Sequence, residues 1–335
     1  MRKMVLICLL WMLGGVCAIA QTSLTTPNYH VPIHGHGRYI TTPQGRIYYE
    51  TEGHGPPIVL VAGGPGGSHA AFHPWFSRLA AHHRVIYFDN LGRGRSDRLR
   101  DPKKYTIERD IEDIEALRVA LKLKTITLLG QSYGGMPALA YALKYPELTD
   151  HLILSDTILG AKGFQQNIDS CNHEASTRFP ETWKKLTAMR AKGIKTGSEL
   201  YEKLYSKPTD DLYWYHPEND AKIFRSGEKI DDLNNAIYYA MVGDDPEWIV
   251  GGTIKGYDPR PEMKNLAIPT LICVGRFDRV ALPEIAQEIK DDLPARTSQL
   301  VVFERSGHYP WIEEADRYFK IVSTFLDGSH HAQKL

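Results

Sequence analysis

Cysteine is scarce in this sequence, which limits the kind of protein it can encode. Only four cysteines occur among 335 residues, and two of them, Cys8 and Cys17, fall within the first twenty positions. The other two, Cys171 and Cys273, lie in different regions, and the sequence does not show whether they could meet. The chain is therefore not a small scaffold held together by disulfides.

An excess of charge of either sign is also lacking. The chain has 40 basic and 40 acidic side chains, and 42% of its residues are hydrophobic. This balance gives no support for a nucleic-acid partner or for a membrane-surface patch. No internal repeat or low-complexity tract is present. The length suits one large globular domain, or one domain with an insertion.

The first twenty residues differ from the rest of the chain. Arg2-Lys3 precedes an apolar run at residues 4–13, and Ala18-Ile19-Ala20 offers a cleavage site with small residues. We therefore predict a secretory signal peptide at residues 1–20 and a secreted or periplasmic protein. The apolar run is too short for a comfortable membrane span, so no stable insertion is expected after the signal is removed. A lipid anchor at Cys17 is the alternative.

A serine flanked by glycines is the most informative motif. Residues 125–129 are predicted to be a buried strand, Gly130-Gln131-Ser132-Tyr133-Gly134 a sharp turn, and residues 136–144 a helix. A serine hydroxyl is a poor nucleophile, so it must stand on such a turn within reach of a base. The two flanking glycines leave room where a Cβ would crowd the backbone. We expect Ser132 to be a nucleophile.

A glycine-rich loop after an earlier strand is the candidate for part of an oxyanion hole. The apolar run at residues 58–61 ends in Ala62-Gly63-Gly64-Pro65-Gly66-Gly67. Because glycine costs chain entropy, such a loop indicates that the backbone must approach something closely. We expect the N–H groups of Gly64 and Tyr133 to hold a developing oxyanion. A plain loop and a phosphate cradle are the alternatives, although a phosphate loop would end in Gly-Lys-Ser/Thr.

Strands and helices alternate along the chain, which predicts an α/β fold with a mostly parallel sheet and helices on both faces. The predicted strands are residues 38–42, 46–51, 58–61, 85–89, 125–129, 151–155, 270–275 and 299–303, and the predicted helices of this core are residues 106–121, 136–144, 283–293 and 314–326. Residues 21–159 and 263–328 would form this core, and residues 329–335 a flexible tail.

The pattern changes between residues 160 and 262. Aromatic-rich helical segments are predicted at 179–192, 197–205 and 229–241, and no buried strand is apparent. An inserted helical segment at this point is expected to be a lid over the active site. An independent second domain is the alternative, and we favour the lid because the strand pattern resumes directly afterwards.

Two polar residues follow later strands in the order expected for a serine hydrolase. Asp278 follows the strand at 270–275, and His308 follows the last strand. Ligands of such sheets bind beyond the carboxyl ends of the strands, where Ser132 is also expected. His308 would take and return the serine proton, and Asp278 would orient the imidazole and stabilise its positive charge. Asp156, which also follows a strand, is the second candidate for the acid.

These motifs together resemble the α/β-hydrolase superfamily and, within it, the proline iminopeptidase family of serine peptidases. That family pairs a His-Gly-Gly-Pro-Gly-Gly loop with a Gly-Gln-Ser-x-Gly-Gly turn. Residues 63–67 and 130–135 match these motifs, whereas Ala62 stands in place of the histidine. The resemblance extends over residues 37–326 and is weakest at 160–262. It implies an α/β-hydrolase fold, and no cofactor or metal.

A segment of the predicted lid carries a further resemblance. Residues 246–258 look like part of the archaeal tricorn-interacting aminopeptidase, in which a glutamate matching Glu247 contacts the amino terminus of the substrate. A lid carboxylate in a cleft of low dielectric would suit a free ammonium group. Members of the family generally use more than one acidic residue. Glu174, Glu181 and Glu218 are the candidates for the second, and a surface charge is the alternative for Glu247.

The residues and the resemblance together indicate a serine hydrolase that removes an N-terminal residue, often proline, from short peptides through an acyl-enzyme. An esterase or lactonase on the same triad is the alternative, because acyl transfer to Ser132 suits either leaving group. A further alternative is a non-catalytic relative that only binds a ligand. The expected partner is a short peptide or a small ester, and the sequence does not determine the oligomeric state.

Overall fold

The structure is a computed structural model in which residues 37–332 are described, the side chains of residues 207 and 329–332 excepted. The predicted signal peptide at residues 1–20 lies outside the described residues. Within the described range, no helix combines the length and apolar character that crossing a membrane requires.

Eight strands form one sheet. They are β1 (Arg38–Thr42), β2 (Gly45–Glu52), β3 (Pro57–Val61), β4 (Arg84–Phe88), β5 (Ile126–Gln131), β6 (Thr149–Ser155), β7 (Thr270–Gly275) and β8 (Ser298–Phe303). Their order is β1-β2-β4-β3-β5-β6-β7-β8, antiparallel from β1 to β4 and parallel from β4 to β8. All eight predicted strands are found, and the mostly parallel sheet that the sequence predicted is confirmed.

The helices of the described chain follow the same alternation. They are α1 (Ile107–Ala120), α2 (Gly135–Lys144), α3 (Gly160–Arg178), α4 (Pro180–Ala191), α5 (Glu199–Thr209), α6 (Asn235–Val242), α7 (Arg260–Met263), α8 (Pro283–Asp292), α9 (Pro310–Glu313) and α10 (Ala315–Ala332). Thr106 begins α1 because its hydroxyl accepts a hydrogen bond from the Arg109 backbone N–H at 3.1 Å.

Two apolar clusters cover the two faces of the sheet. In β3, Val59 and Val61 belong to one cluster, and Ile58 and Leu60 belong to the other. Successive side chains of a strand point to opposite faces, so a strand covered on both sides becomes a continuous apolar run. Helices α1, α2 and α8 cover one face, and α10 with the 3-10 segment Trp75–Ala81 covers the other.

Helices α3 to α7 lie between β6 and β7, and the described chain contains no strand there. The sequence analysis missed α3 because polar residues interrupt its apolar stripe, in which Phe164 and Ile168 are buried one turn apart. The action of this segment as a lid stays a prediction. The predicted flexible tail overlaps α10, whose backbone remains helical to Ala332 because no proline ends it; residues 333–335 lie outside the described range.

The turn between β5 and α2 lies against the end of β3. A Cβ on Gly134 would stand 2.1 Å from the carbonyl oxygen of Val61, and one on Gly130 would stand 2.5 Å from the carbonyl oxygen of Gly134. Real Cβ atoms do not approach backbone oxygens so closely. The two glycines therefore allow the turn to pack against β3, as the motif predicted.

Gly134→Ala should consequently destabilise the protein. We expect the free energy of unfolding, measured by urea denaturation, to fall by about 1–3 kcal/mol because the backbone must shift to relieve the overlap. Gly163→Ala, inside α3, is the matched control, since its Cβ would meet Leu159 at an ordinary 3.5 Å. That variant should gain up to about 1 kcal/mol from helix propensity. Equal effects of the two substitutions would contradict the packing argument.

Candidate active site

Ser132 occupies the turn between β5 and α2 in a backbone conformation that few residues other than glycine adopt. Its φ is +52°, and the side chain is largely buried. The turn Ser132–Gly134 continues directly into α2, whose first N–H, that of Gly135, donates to the carbonyl oxygens of Ser132 and Tyr133. A strained serine at this edge of the sheet is typical of a nucleophile elbow.

A cavity of about 570 Å³ lies beside the carboxyl ends of the parallel strands. Ser132, His308 and Gly64 line its floor, and residues of α3, α5 and α6 line the opposite wall. This volume falls within the range of about 300–1,000 Å³ that small-ligand sites have. The arrangement places a polar hydroxyl and an imidazole at the bottom of an enclosed space.

Asp278 and His308 are in direct contact. The Nδ1 atom of His308 lies 2.7 Å from Oδ2 of Asp278, and both side chains are buried. The other oxygen of Asp278 accepts hydrogen bonds from the backbone N–H groups of Val280 and Ala281, each at 2.8 Å. Because Asp278 accepts the Nδ1 proton, Nε2 of His308 keeps the lone pair that a base needs.

Gln131 is the hydrogen-bond partner of that Nε2 atom. Its side-chain amide nitrogen lies 3.1 Å from His308 Nε2. In the part of the chain that the structure describes, no hydrogen bond joins the Ser132 hydroxyl to His308, so this hydroxyl must replace the amide before a proton is transferred. The sequence analysis gave Gln131 no role, although its position next to the nucleophile was a signal.

Asp156 lies beside the pair as a third buried acid. One oxygen of Asp156, one of Asp278 and a ring nitrogen of His308 all lie within 4.8 Å of one another. Asp156 Oδ1 accepts the Gly275 N–H at 2.9 Å. Burial, and then the negative charge of Asp278, raise the pKa of Asp156 well above its usual value. Burial thus favours the protonated form of Asp156, while Asp278 is the acid in direct contact with the imidazole.

The two predicted oxyanion donors come from the glycine-rich loop and from the residue after the nucleophile. Gly64 lines the cavity, with φ at +120°, and Tyr133 follows Ser132 in the chain. Gly63 lies closer to the serine than Gly64 does, since a Cβ on Gly63 would stand 3.0 Å from that of Ser132. The oxyanion role of the two N–H groups stays a prediction.

Glu247 lies in the cavity wall, as the resemblance implied. Its Oε1 accepts a hydrogen bond from the Tyr238 hydroxyl at 3.3 Å. Burial raises the pKa of Glu247 to about 7, and the negative charge of Glu202 adds to this rise. Glu202 lines the same cavity and accepts a hydrogen bond from Tyr239. Two carboxylates therefore face the space above Ser132.

None of the three candidates for a second carboxylate lines this cavity. Glu174 lies 3.8 Å from the Arg279 guanidinium, and Glu181 and Glu218 are exposed on the protein surface. That part of the sequence prediction is corrected, because these residues lie on outward-facing positions of their helices and turns. Glu202 was missed because its place in the wall depends on how α5 packs, which no local motif encodes.

The chain is similar in sequence to proteins of known families. A profile described as alpha/beta hydrolase fold matches residues 56–184. The chain is 29% identical over 284 residues to a proline iminopeptidase of Saccharolobus solfataricus, covering 83% of this chain and 87% of the relative. It is 30% identical over 276 residues to a proline iminopeptidase of Lactobacillus helveticus, covering 81% of this chain and 90% of the relative.

Solved structures with the same fold have lower sequence identity. The proline iminopeptidase of Mycobacterium smegmatis is 19% identical with a TM-score of 0.71, covering 89% of this chain and 99% of that chain. An esterase of Exiguobacterium antarcticum is 22% identical with a TM-score of 0.63, covering 87% of this chain and 99% of that chain. These likenesses show the α/β-hydrolase fold.

The two buried acids beside His308 should differ in their effect on catalysis. We expect Asp278→Asn to lower kcat by about 10⁴-fold, because the imidazole loses the acceptor that selects its tautomer. Asp156→Asn keeps an acceptor for the Gly275 N–H and removes an acid whose pKa is raised by burial and that does not bond His308, so kcat should fall by less than about tenfold. Both values are measured with an aminoacyl anilide. A loss in Asp156→Asn as large as that in Asp278→Asn would contradict the assignment.

Proposed function

The chain belongs to the proline iminopeptidase family of α/β hydrolases, and on that premise we propose that it is a serine aminopeptidase that releases the N-terminal residue, proline among others, from short peptides. The main support is the placement of Glu247 and Glu202 in the same cavity as Ser132 and His308. A nucleophile and an acidic subsite enclosed together suit a substrate whose ammonium group is close to its scissile bond.

Acyl transfer follows from the geometry at the floor of the cavity. Once the Ser132 hydroxyl takes the place of the Gln131 amide, His308 Nε2 takes its proton while Oγ attacks the carbonyl carbon. The N–H groups of Gly64 and Tyr133 hold the oxyanion, and loss of one such donor typically costs about 10²–10³ in rate. His308 then gives the proton to the leaving amine. Water, deprotonated by the same nitrogen, releases the acyl group from Ser132.

Recognition of the amino terminus depends on the wall of the cavity. An ammonium group beside Glu247 would form a charge-assisted hydrogen bond in a site largely closed to water, where such contacts are stronger than on the surface. Glu202 would supply the second acceptor. A peptide without a free amino terminus near its scissile bond would leave these carboxylates unpaired. Selection for short substrates with a free amine follows.

We also propose that the enzyme acts outside the cytoplasm as a secreted or periplasmic protein. The support is the basic start, apolar run and small-residue site within residues 1–20. Sequencing of the amino terminus of protein recovered from cell fractions tests this proposal. Cleavage after Ala20 in an extracytoplasmic fraction is expected, and an intact Met1 in the cytoplasm would contradict it.

An esterase or lactonase is the second candidate function. The observation that favours it is the apolar part of the cavity lining, where Phe164, Ile168 and Leu233 could accept an acyl chain. The same triad can transfer an acyl group from an ester, which is more reactive than an amide. The two candidates differ in whether Glu247 contributes to turnover.

Glu247→Gln should separate these candidates. We expect kcat/KM for prolyl- and leucyl-anilides to fall by about 10–1,000-fold, because the ammonium loses a charged partner in a desolvated site. Turnover of a short acyl nitrophenyl ester should change little. Glu218→Gln, at an exposed glutamate, is the matched control and should behave as wild type. Ser132→Ala should abolish both activities, and cleavage of esters alone by the wild type would favour the esterase.

The pH profile provides an independent test of the acidic subsite. Because the pKa of Glu247 is raised to about 7, this carboxylate becomes neutral as pH falls through 7 and its attraction for an ammonium group is lost. KM for a leucyl-anilide should therefore rise with acidification around pH 7, whereas KM for the acyl ester should not. In Glu247→Gln the rise should disappear. Parallel KM profiles for both substrates in the wild type would contradict this role.

A further inference from the structure

Two histidines and a glutamate face one another in a pocket that the proposed reaction does not use. Glu50 comes from β2, His69 begins the short 3-10 turn that follows the glycine-rich loop, and His73 directly follows that turn. The exposed fractions are 9% for Glu50, 1% for His69 and 0% for His73. One donor atom from each side chain lies within 4.8 Å of the other two. Three groups able to bind a metal therefore converge in the interior.

The spacing of these atoms suits a bound ion better than direct hydrogen bonds. His69 Nε2 lies 3.4 Å from Glu50 Oε1, and His73 Nε2 lies 3.3 Å from Glu50 Oε2. Both ring nitrogens of His73 are buried without a hydrogen-bond partner. Ligands at 2.0–2.1 Å from a tetrahedral zinc ion stand about 3.3–3.4 Å from each other. An ion between these atoms would satisfy the unpartnered His73.

The carboxylates around the pocket also favour the binding of a cation. Besides Glu50, Asp89 lies 3.0 Å from His69, and Glu52 lies 3.9 Å from His73. Three carboxylates around neutral imidazoles would leave a large negative charge in a mostly dry environment. Two protons or one divalent cation would supply the same two positive charges. The pocket is thus electrostatically suited to either.

The surroundings of each histidine are those of a metal ligand. Nδ1 of His69, the nitrogen away from Glu50, lies 3.0 Å from both oxygens of Asp89. Nδ1 of His73 faces Glu52, whose Oε1 is itself buried without a hydrogen-bond partner. Histidines bound to metals usually donate their second N–H to a carboxylate, which fixes the ring and raises its basicity. His69 follows this pattern, and His73 has the Glu52 carboxylate 3.9 Å from its Nδ1, just beyond hydrogen-bond distance.

We propose that Glu50, His69 and His73 bind one divalent transition-metal ion, for which zinc is the best match to two imidazoles and a carboxylate. The ion would tie the end of the loop that contains Gly64 to β2 and would have a structural role. The sequence analysis implied no metal. It missed this site because Glu50 lies far from the histidines along the chain, and only the folded sheet brings them together.

The competing state is the same pocket without an ion, in which His69 pairs directly with Asp89 and Glu50. Burial works against a charge on His69, but Asp89 and Glu50 together raise its pKa to about 10 in the absence of metal. Zinc must therefore displace protons from the pocket when it binds. The two states make opposite predictions about zinc content, so the experiment concerns metal binding and not activity.

The experiment titrates the protein with zinc chloride after EDTA treatment. His308→Gln is used as the background because Asp156, Asp278 and His308 also bring donor atoms within 4.8 Å of one another. We expect one zinc per chain to remain after gel filtration. At about 1,000 times the dissociation constant, zinc should raise Tm by about 5–10 °C. Absence of retained zinc would overturn the proposal in favour of the pocket without an ion.

Substitutions in the pocket then locate the bound zinc. His73→Gln and Glu50→Gln should each weaken binding by at least about 100-fold, whereas His216→Gln, at an exposed histidine, should leave it unchanged. Should the pocket variants fail to fold, X-ray absorption on the background protein decides, with imidazole nitrogens expected at about 2.0–2.1 Å from zinc. Unchanged binding in a folded His73→Gln protein, or a spectrum without imidazole ligands, would overturn the proposal.

Discussion

The contact between Asp278 and His308 is the interaction on which the site depends. At 2.7 Å it fixes which nitrogen of the imidazole carries the proton, and every proposed step uses the other nitrogen. Its two residues follow β7 and β8, so their meeting requires these strands to pair in register. Backbone N–H groups hold Asp278 from below, and the His308 N–H donates to the carbonyl of Tyr213 at 2.7 Å. The sheet and the helical segment between β6 and β7 therefore meet at this loop.

That segment has a second role in the proposed function, because it provides both carboxylates of the acidic subsite. The floor of the cavity supplies chemistry that any acyl substrate could use, whereas Glu247 and Glu202 add a preference for a positive charge. Burial and the nearby charge of Glu202 oppose the ionisation of Glu247. An arriving ammonium group would relieve this cost. Substrate selection thus depends on the helical segment and acyl transfer on the loops at the end of the sheet. The two properties can therefore change separately.

Local patterns predicted most of the fold and the order of the triad, but not the contacts made by folding. The central strands were predictable from their continuous apolar runs, and the nucleophile turn from its Gly-Gln-Ser-Tyr-Gly motif. The positions of Asp278 and His308 just after strands were likewise predictable from neighbouring residues. Helix α3 was missed because its buried face includes polar residues. Glu202, the Gln131 amide at His308 and the pocket of Glu50, His69 and His73 were missed for a different reason. Their positions depend on packing between segments distant in the chain.

The positive φ of Ser132 affects which substitutions at this position would stabilise the fold. Holding a residue with a Cβ at φ +52° costs about 1–3 kcal/mol, which the surrounding packing must offset. Glycine adopts that conformation without strain, so a chain that lost its nucleophile to glycine would relax there. The active protein therefore keeps a strained backbone at its nucleophile. The single substitution Ser132→Gly would remove both the strain and the activity.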